Sequence, residues 1–135
     1  MAKPAPSCTL GLMPVRCLIV DDNRDFLGAA RELLERDGIS VVGVASTGAQ
    51  AYNSCRELRP DVALIDIDLG DESGFQVARQ LADLAGPQQP RMILISAYSE
   101  DDFADMIADG PAVSFLPKAE LSGAAIRGIL ARIGC

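Results

Sequence analysis

Five polar side chains stand at or just past the ends of short apolar runs in this 135-residue chain. Asp21 and Asp22 follow Arg16–Val20, Asp66 follows Val62–Ile65, Ser96 follows Met92–Ile95, and Lys118 stands close behind Val113–Leu116. Carboxylates gathered in one place repel: two unit charges ~4 Å apart cost roughly 4 kcal/mol at an effective dielectric of 20. A charge at the edge of V-A-L-I is also costly to leave unpaired. Asp21, Asp22 and Asp66 together therefore call for a cation. The chain has no histidine and no C-x-x-C pair, so the donors are oxygens. Oxygen donors suit a hard ion, and so few carboxylates with room for water and phosphate suit Mg²⁺ better than Ca²⁺. Lys118 is one of two lysines against ten arginines, a compact point charge able to neutralise Asp66 or grip a phosphoryl oxygen. Singly, each residue has a plainer role. Asp21 and Asp22 can open a helix, Ser96 can cap a turn, and Lys118 can be a solvated surface charge. Their order along the chain is what points to chemistry.

The elements that would position them follow from the apolar pattern. Strands are predicted at Arg16–Val20, Ser40–Ala45, Val62–Ile65, Met92–Ile95 and Val113–Leu116, mostly without polar alternation, as in strands covered on both faces. Helices are predicted between them. Arg24–Asp37 carries Phe26, Ala30, Leu33 and Leu34 at helical spacing and stops at Gly38. Thr47 caps a helix through Leu58, ahead of Pro60. Gly74–Ala85 carries Val77, Leu81 and Leu84. Ser99 opens a short helix with Phe103, Met106 and Ile107 inward, and Leu121–Ile133 is the last helix. Strands alternating with helices make an α/β domain with a parallel sheet. In such sheets the functional crevice lies beyond the carboxyl ends of the strands. The acids agree, since the groups 21/22/25, 66/68/71/72 and 100/101/102/105/109 hold 12 of the 19 Asp and Glu residues, all after a strand.

Composition narrows the classes. At 49% hydrophobic and 23% charged, the chain can bury one core without staples. The net charge of −7 repels phosphate backbones and anionic lipid, so no direct DNA or membrane binding is expected. The absence of histidine excludes His general bases, Ser-His-Asp and Cys-His nucleophiles and His-ligated zinc. Cys8, Cys17, Cys55 and Cys135 are widely and irregularly spaced, which fits free thiols in a cytoplasmic protein. Residues 1–13 lack a hydrophobic signal core and read as a disordered tail, with one domain over 14–135.

The order Asp-Asp, Asp, Ser, Lys at strand ends one, three, four and five resembles the receiver domain of two-component response regulators. The similarity runs from about Val15 to Ile133, anchored by LIVDDNRDF, DVALIDIDLGDESG, ILISAYSE and FLPKAEL. The resemblance implies a doubly wound, five-stranded parallel sheet in the order 2-1-3-4-5, with helices on both faces. It implies that Asp66 accepts a phosphoryl group from a histidine kinase or phosphotransfer protein. Asp22 would bind Mg²⁺ directly and Asp21 largely through water, with the backbone carbonyl of Asp68 as a further ligand beside Asp66. Lys118 would pair with the phosphoryl oxygens, Ser96 would hydrogen-bond them, and Phe115 with Ser96 would form the conformational switch. Asp68 and Tyr98 would tune dephosphorylation. Output would pass through the face of the fourth helix, fifth strand and fifth helix.

The chain departs from the pattern in three places. Ala119 follows Lys118 where many receivers have proline and a cis peptide; a cis bond to Ala costs about 3–4 kcal/mol and forms only where the site over-determines it. Pro117 precedes the lysine. The chain ends at Cys135, directly after the last helix, with no output domain, so a stand-alone receiver signalling through protein–protein contacts is expected. Monomer and homodimer are both open. The rival readings are a binding module independent of phosphorylation, a phosphorelay or phosphate-sink receiver, and a haloacid-dehalogenase-like phosphatase built on Asp66-Ile67-Asp68. The last would need its nucleophile on the first motif strand, where this chain has Asp21-Asp22. A flavodoxin-like electron carrier would need a Ser/Thr-rich phosphate cradle and flanking aromatics, which are missing. A dedicated enzyme is not expected.

Overall fold

The computed structural model describes residues 14–84, 89–97, 110 and 114–134. The predicted tail over residues 1–13, Tyr98, the helix expected after Ser99 with Phe103, Met106 and Ile107, and Val113 lie outside the described residues.

Strands β1 (Arg16–Val20), β2 (Ser40–Ala45), β3 (Val62–Asp66), β6 (Arg91–Ser96) and β7 (Ser114–Pro117) form one sheet in the order β2-β1-β3-β6-β7. Every neighbouring pair is parallel. A two-residue antiparallel ladder, β4 (Asp68–Leu69) with β5 (Glu72–Ser73), sits apart from it. Counting only the sheet strands, the order is 2-1-3-4-5, the doubly wound arrangement expected.

Successive strand residues point to opposite faces, and each face is covered. One layer packs Cys17, Ile19, Leu64, Ile93 and Ile95 against Leu27, Ala30 and Leu34 of α1 (Arg24–Arg36) and Ile126 and Leu130 of α4 (Gly123–Gly134). The other packs Leu18, Val20, Ile65, Leu94 and Phe115 against Ala51 and Cys55 of α2 (Gly48–Leu58) and Phe75, Val77 and Leu81 of α3 (Gly74–Ala82). This two-sided burial explains why the strands read as continuous apolar runs. No helix among the described residues is long and apolar enough to cross a membrane.

The helix ends follow local chemistry. Asn23 caps α1, its side chain accepting from the amides of Asp25 and Phe26. Thr47 caps α2, which ends at left-handed Arg59 before Pro60. Three expectations shift. Leu27 rather than Phe26 lies at the centre of the buried face of α1, and Phe26 is only half-buried at its edge. α3 stops at Ala82 instead of Ala85, because the amides of Asp83 and Leu84 bond back three residues to Gln80 and Leu81 and tighten the last turn. α4 begins at Gly123 and not Leu121, since Lys118–Glu120 first form a 3-10 turn and Ser122 caps the helix through the Ala125 amide.

Candidate active site at the strand ends

Asp66 and Ser96 prove to be the last residues of their strands, not the first beyond them. Asp66 pairs with Ile95, and Ser96 with Pro117. Asp21 follows β1 directly, its amide held by the carbonyl of Ala45 at 2.9 Å. Its side chain is fully buried, and Oδ1 accepts from the Asn23 amide at 2.9 Å. Asp22 is exposed at the rim. Lys118, opening the 3-10 turn after β7, reaches back across the sheet end. Its Nζ lies 2.8 Å from Asp21 Oδ2 and 3.3 Å from Asp66 Oδ2. The described residues contain no cis peptide, so the Lys118–Ala119 bond is trans.

The carboxylates of Asp21, Asp22 and Asp66 each place an oxygen within 4.8 Å of the others. Asp22, Asp66, Asp68, Gly70, Ser96 and Lys118 line a cleft of about 310 Å³ above them. The sheet thus gathers the five residues that the sequence singled out. Asp68 lies at its mouth, exposed, with its amide donating to Asp66 Oδ1 at 3.2 Å and its own Oδ1 accepting from Gly70. Phe115 is buried one strand residue from the rim, in the layer covered by α2 and α3.

One ammonium serves two carboxylates, and the electrostatics show the shortfall. Burial pushes the Asp66 carboxyl above the usual carboxylate range; the charge of Asp21 adds to this, against opposing pulls from the Asp68 amide and Lys118. Burial alone would lower the Lys118 amine, but its contacts with Asp21 and Asp66 outweigh burial and hold it above the ordinary lysine value. Asp21 Oδ2 touches the ammonium outside hydrogen-bond geometry, so this buried oxygen has no hydrogen bond. A buried acceptor left over, a second carboxylate beside it and an exposed third at the cleft mouth make an oxygen donor set that fits Mg²⁺ with water completing its shell.

Three residues matter here that sequence reasoning passed over. Gly74 starts α3 against the back of the site, where a Cβ would come within 2.1 Å of the Asp66 carbonyl oxygen. Glu72 accepts from the Gly48 amide at 2.9 Å, tying the loop after Asp66 to the start of α2. Phe26 places its ring 4.2 Å from the Lys118 ammonium. Only Phe26 left a readable signal, four residues after Asp22 in the first turn of α1, and there it looked like core.

The family profile described as "Response regulator receiver domain" matches residues 17–127. The chain is 31% identical over 106 residues to the response regulator GacA of Pseudomonas viridiflava, covering 77% of this chain and 48% of that protein. It therefore spans about half the length of that relative. Among solved structures, a two-component response regulator of the LuxR family from Aurantimonas sp. SI85-9A1 superposes with a TM-score of 0.73 at 27% identity, covering 88% of this chain and 86% of that one. A response regulator from Burkholderia pseudomallei with a phosphorylated aspartic acid, calcium ion and citrate matches with a TM-score of 0.72 at 26% identity, over 86% of this chain and 66% of that one.

Proposed function

Because the chain belongs to the response regulator receiver domain family, we propose that it is a phosphorylation-dependent switch of two-component signalling whose acceptor is Asp66. The observation that carries this reading is the Lys118 ammonium shared between buried Asp21 and Asp66 at the floor of a polar cleft. An Asp66 carboxylate oxygen attacks phosphorus of the donor, the bond from phosphorus to the leaving group breaks, and an acyl phosphate on Asp66 results. Phosphoryl transfer asks a protein mainly for positioning and charge neutralisation. Lys118 supplies a fixed positive charge beside the acceptor, and the Ser96 hydroxyl stands at the adjoining strand end to hydrogen-bond the product. Asp21, Asp22, Asp66 and the Asp68 carbonyl would hold Mg²⁺, which when bound offsets charge on the transferring group. The Burkholderia relative with its phosphorylated aspartic acid supports this reading.

The donor in this proposal is a histidine kinase or phosphotransfer protein. Product formation adds charge and acceptor oxygens to the rim, which draws on Ser96 and frees space for Phe115 to rotate. Asp68 at the mouth, with Tyr98, sets the lifetime of the phosphorylated state. The output is contact with another protein through the surface around β7 and α4, and phosphorylation could favour a homodimer through that same surface. The charge of −7 argues against DNA as a direct partner of this region, and the buried free thiols Cys17 and Cys55 fit a reducing cytoplasm. The test is the initial rate of phosphoryl uptake from acetyl phosphate, followed by intact mass with Mg²⁺ and with a chelator. Uptake that needs Mg²⁺ supports the proposal; none under either condition, in folded protein, favours a binding module independent of phosphorylation.

The metal assignment has its own test. Asp22 faces the cleft, whereas Asp21 is committed to Asn23 and Lys118. Asp22→Ala is expected to weaken Mg²⁺ binding about tenfold and Asp21→Ala by less, measured by NMR titration. Equal losses would contradict the division between direct and water-mediated ligands.

A further inference from the structure

Lys118 carries its charge on a four-carbon stem with three rotatable donors, a flexible device for a task that needs a fixed ammonium. Its Nζ lies nearer Asp21, at 2.8 Å, than Asp66, at 3.3 Å. Nothing in those two contacts keeps the ammonium from settling on Asp21 alone. Beside these two carboxylates stands Phe26, whose ring centroid lies 4.2 Å from Nζ. The backbone that carries the ring is itself anchored: the Phe26 amide donates to Asn23 Oδ1 at 3.2 Å, and the Asn23 amide donates to Asp21 Oδ1 at 2.9 Å. One short stretch, Asp21 to Phe26, therefore carries both the carboxylate on one side of the ammonium and the aromatic face on another.

We infer that Phe26 is a positioning residue whose ring holds the Lys118 ammonium between Asp21 and Asp66. A cation over an aromatic face is drawn to the negative side of the ring quadrupole, more strongly as the pair loses water, and the Lys118 side chain here is only 20% exposed. The kinetic consequence rests on Asp66 being the acceptor, as proposed above; the placement of Lys118 does not.

The test compares wild type with Phe26→Leu, which keeps an apolar side chain but no ring, and Phe26→Tyr, which keeps the ring. Wild type is expected to show Lys118 ε-methylene protons that are shifted upfield by the ring and inequivalent, and Phe26→Tyr to match it. In Phe26→Leu those protons should become equivalent at ordinary shifts, and uptake from acetyl phosphate with Mg²⁺ should slow about fivefold. Ordinary, equivalent ε-protons in wild type would overturn the inference. So would Phe26→Leu with wild-type uptake, or Phe26→Tyr as slow as Phe26→Leu. If wild type takes up no phosphoryl group, the proposed function fails, while the Lys118 resonances still decide whether Phe26 places the ammonium.

Discussion

Asp66→Asn is expected to abolish phosphoryl uptake from every donor and to raise folding stability by about 1 kcal/mol in the metal-free protein. The loss is absolute because an amide has no nucleophilic carboxylate oxygen, and Asp21, the buried acid beside it, is already engaged by Asn23 and Lys118. The gain follows from the site's charge. Burial first, and the charge of Asp21 after it, hold the Asp66 carboxyl above its ordinary value despite Lys118 and the Asp68 amide. A carboxyl whose folded-state value is raised binds its proton more tightly when folded. Its contribution is favourable below the ordinary carboxylate value and is lost as pH rises through the raised one. Ionised Asp66 thus costs stability at neutral pH, and asparagine removes that cost. Urea unfolding with a chelator present should show wild type approaching the variant as pH falls from the raised value to the ordinary carboxylate range. A variant less stable than wild type at neutral pH would contradict the electrostatic account of the site.

Gly74→Ala is expected to cost about 3 kcal/mol or to prevent folding outright. An added Cβ would meet the Asp66 carbonyl oxygen at 2.1 Å, the Ile67 Cα at 2.7 Å and the Asp66 carbonyl carbon at 2.8 Å. All three are backbone atoms of the segment that presents the acceptor, so no side-chain rotation relieves the clash. Gly74 also donates its amide to the Ile67 carbonyl at 2.9 Å. The helix start is thereby set directly against the end of β3. Moving α3 outward would open the layer formed by Phe75, Val77 and Leu81. Gly28 is the control: it lies exposed within α1, and an added Cβ there would have nothing within 4 Å. Gly28→Ala should stabilise by about 0.5–1 kcal/mol through helix propensity alone. Denaturant midpoints that move in the same direction for both variants would contradict the contact reading at Gly74.

The contrast between these glycines shows what a sequence can and cannot convey. The parallel α/β class was legible because apolar runs alternate with helical stripes, whereas the strand order came through the resemblance carried by Asp21, Asp22, Asp66, Ser96 and Lys118. The helix starts at Arg24 and Gly74 were legible from the apolar stripes alone, and at α2 the capping side chain, Thr47, was itself readable. The end of α3 was not, because Leu84 continues the apolar stripe that the backbone leaves at Ala82. Phe26 was read as core since a helical stripe records only which side chains avoid water, not which of them borders a charge. Gly74 and Glu72 act through contacts across the chain, to the Asp66 carbonyl and the Gly48 amide, that leave no periodic trace.

The phosphoacceptor proposed for this receiver is Asp66. Its most direct test is site-resolved: incubate the wild-type chain with acetyl phosphate and Mg²⁺, reduce any acyl phosphate with borohydride, and sequence the peptides by mass spectrometry. Homoserine is expected at position 66 and at no other aspartate. Homoserine at Asp21, Asp22 or Asp68, with Asp66 unchanged, would contradict it.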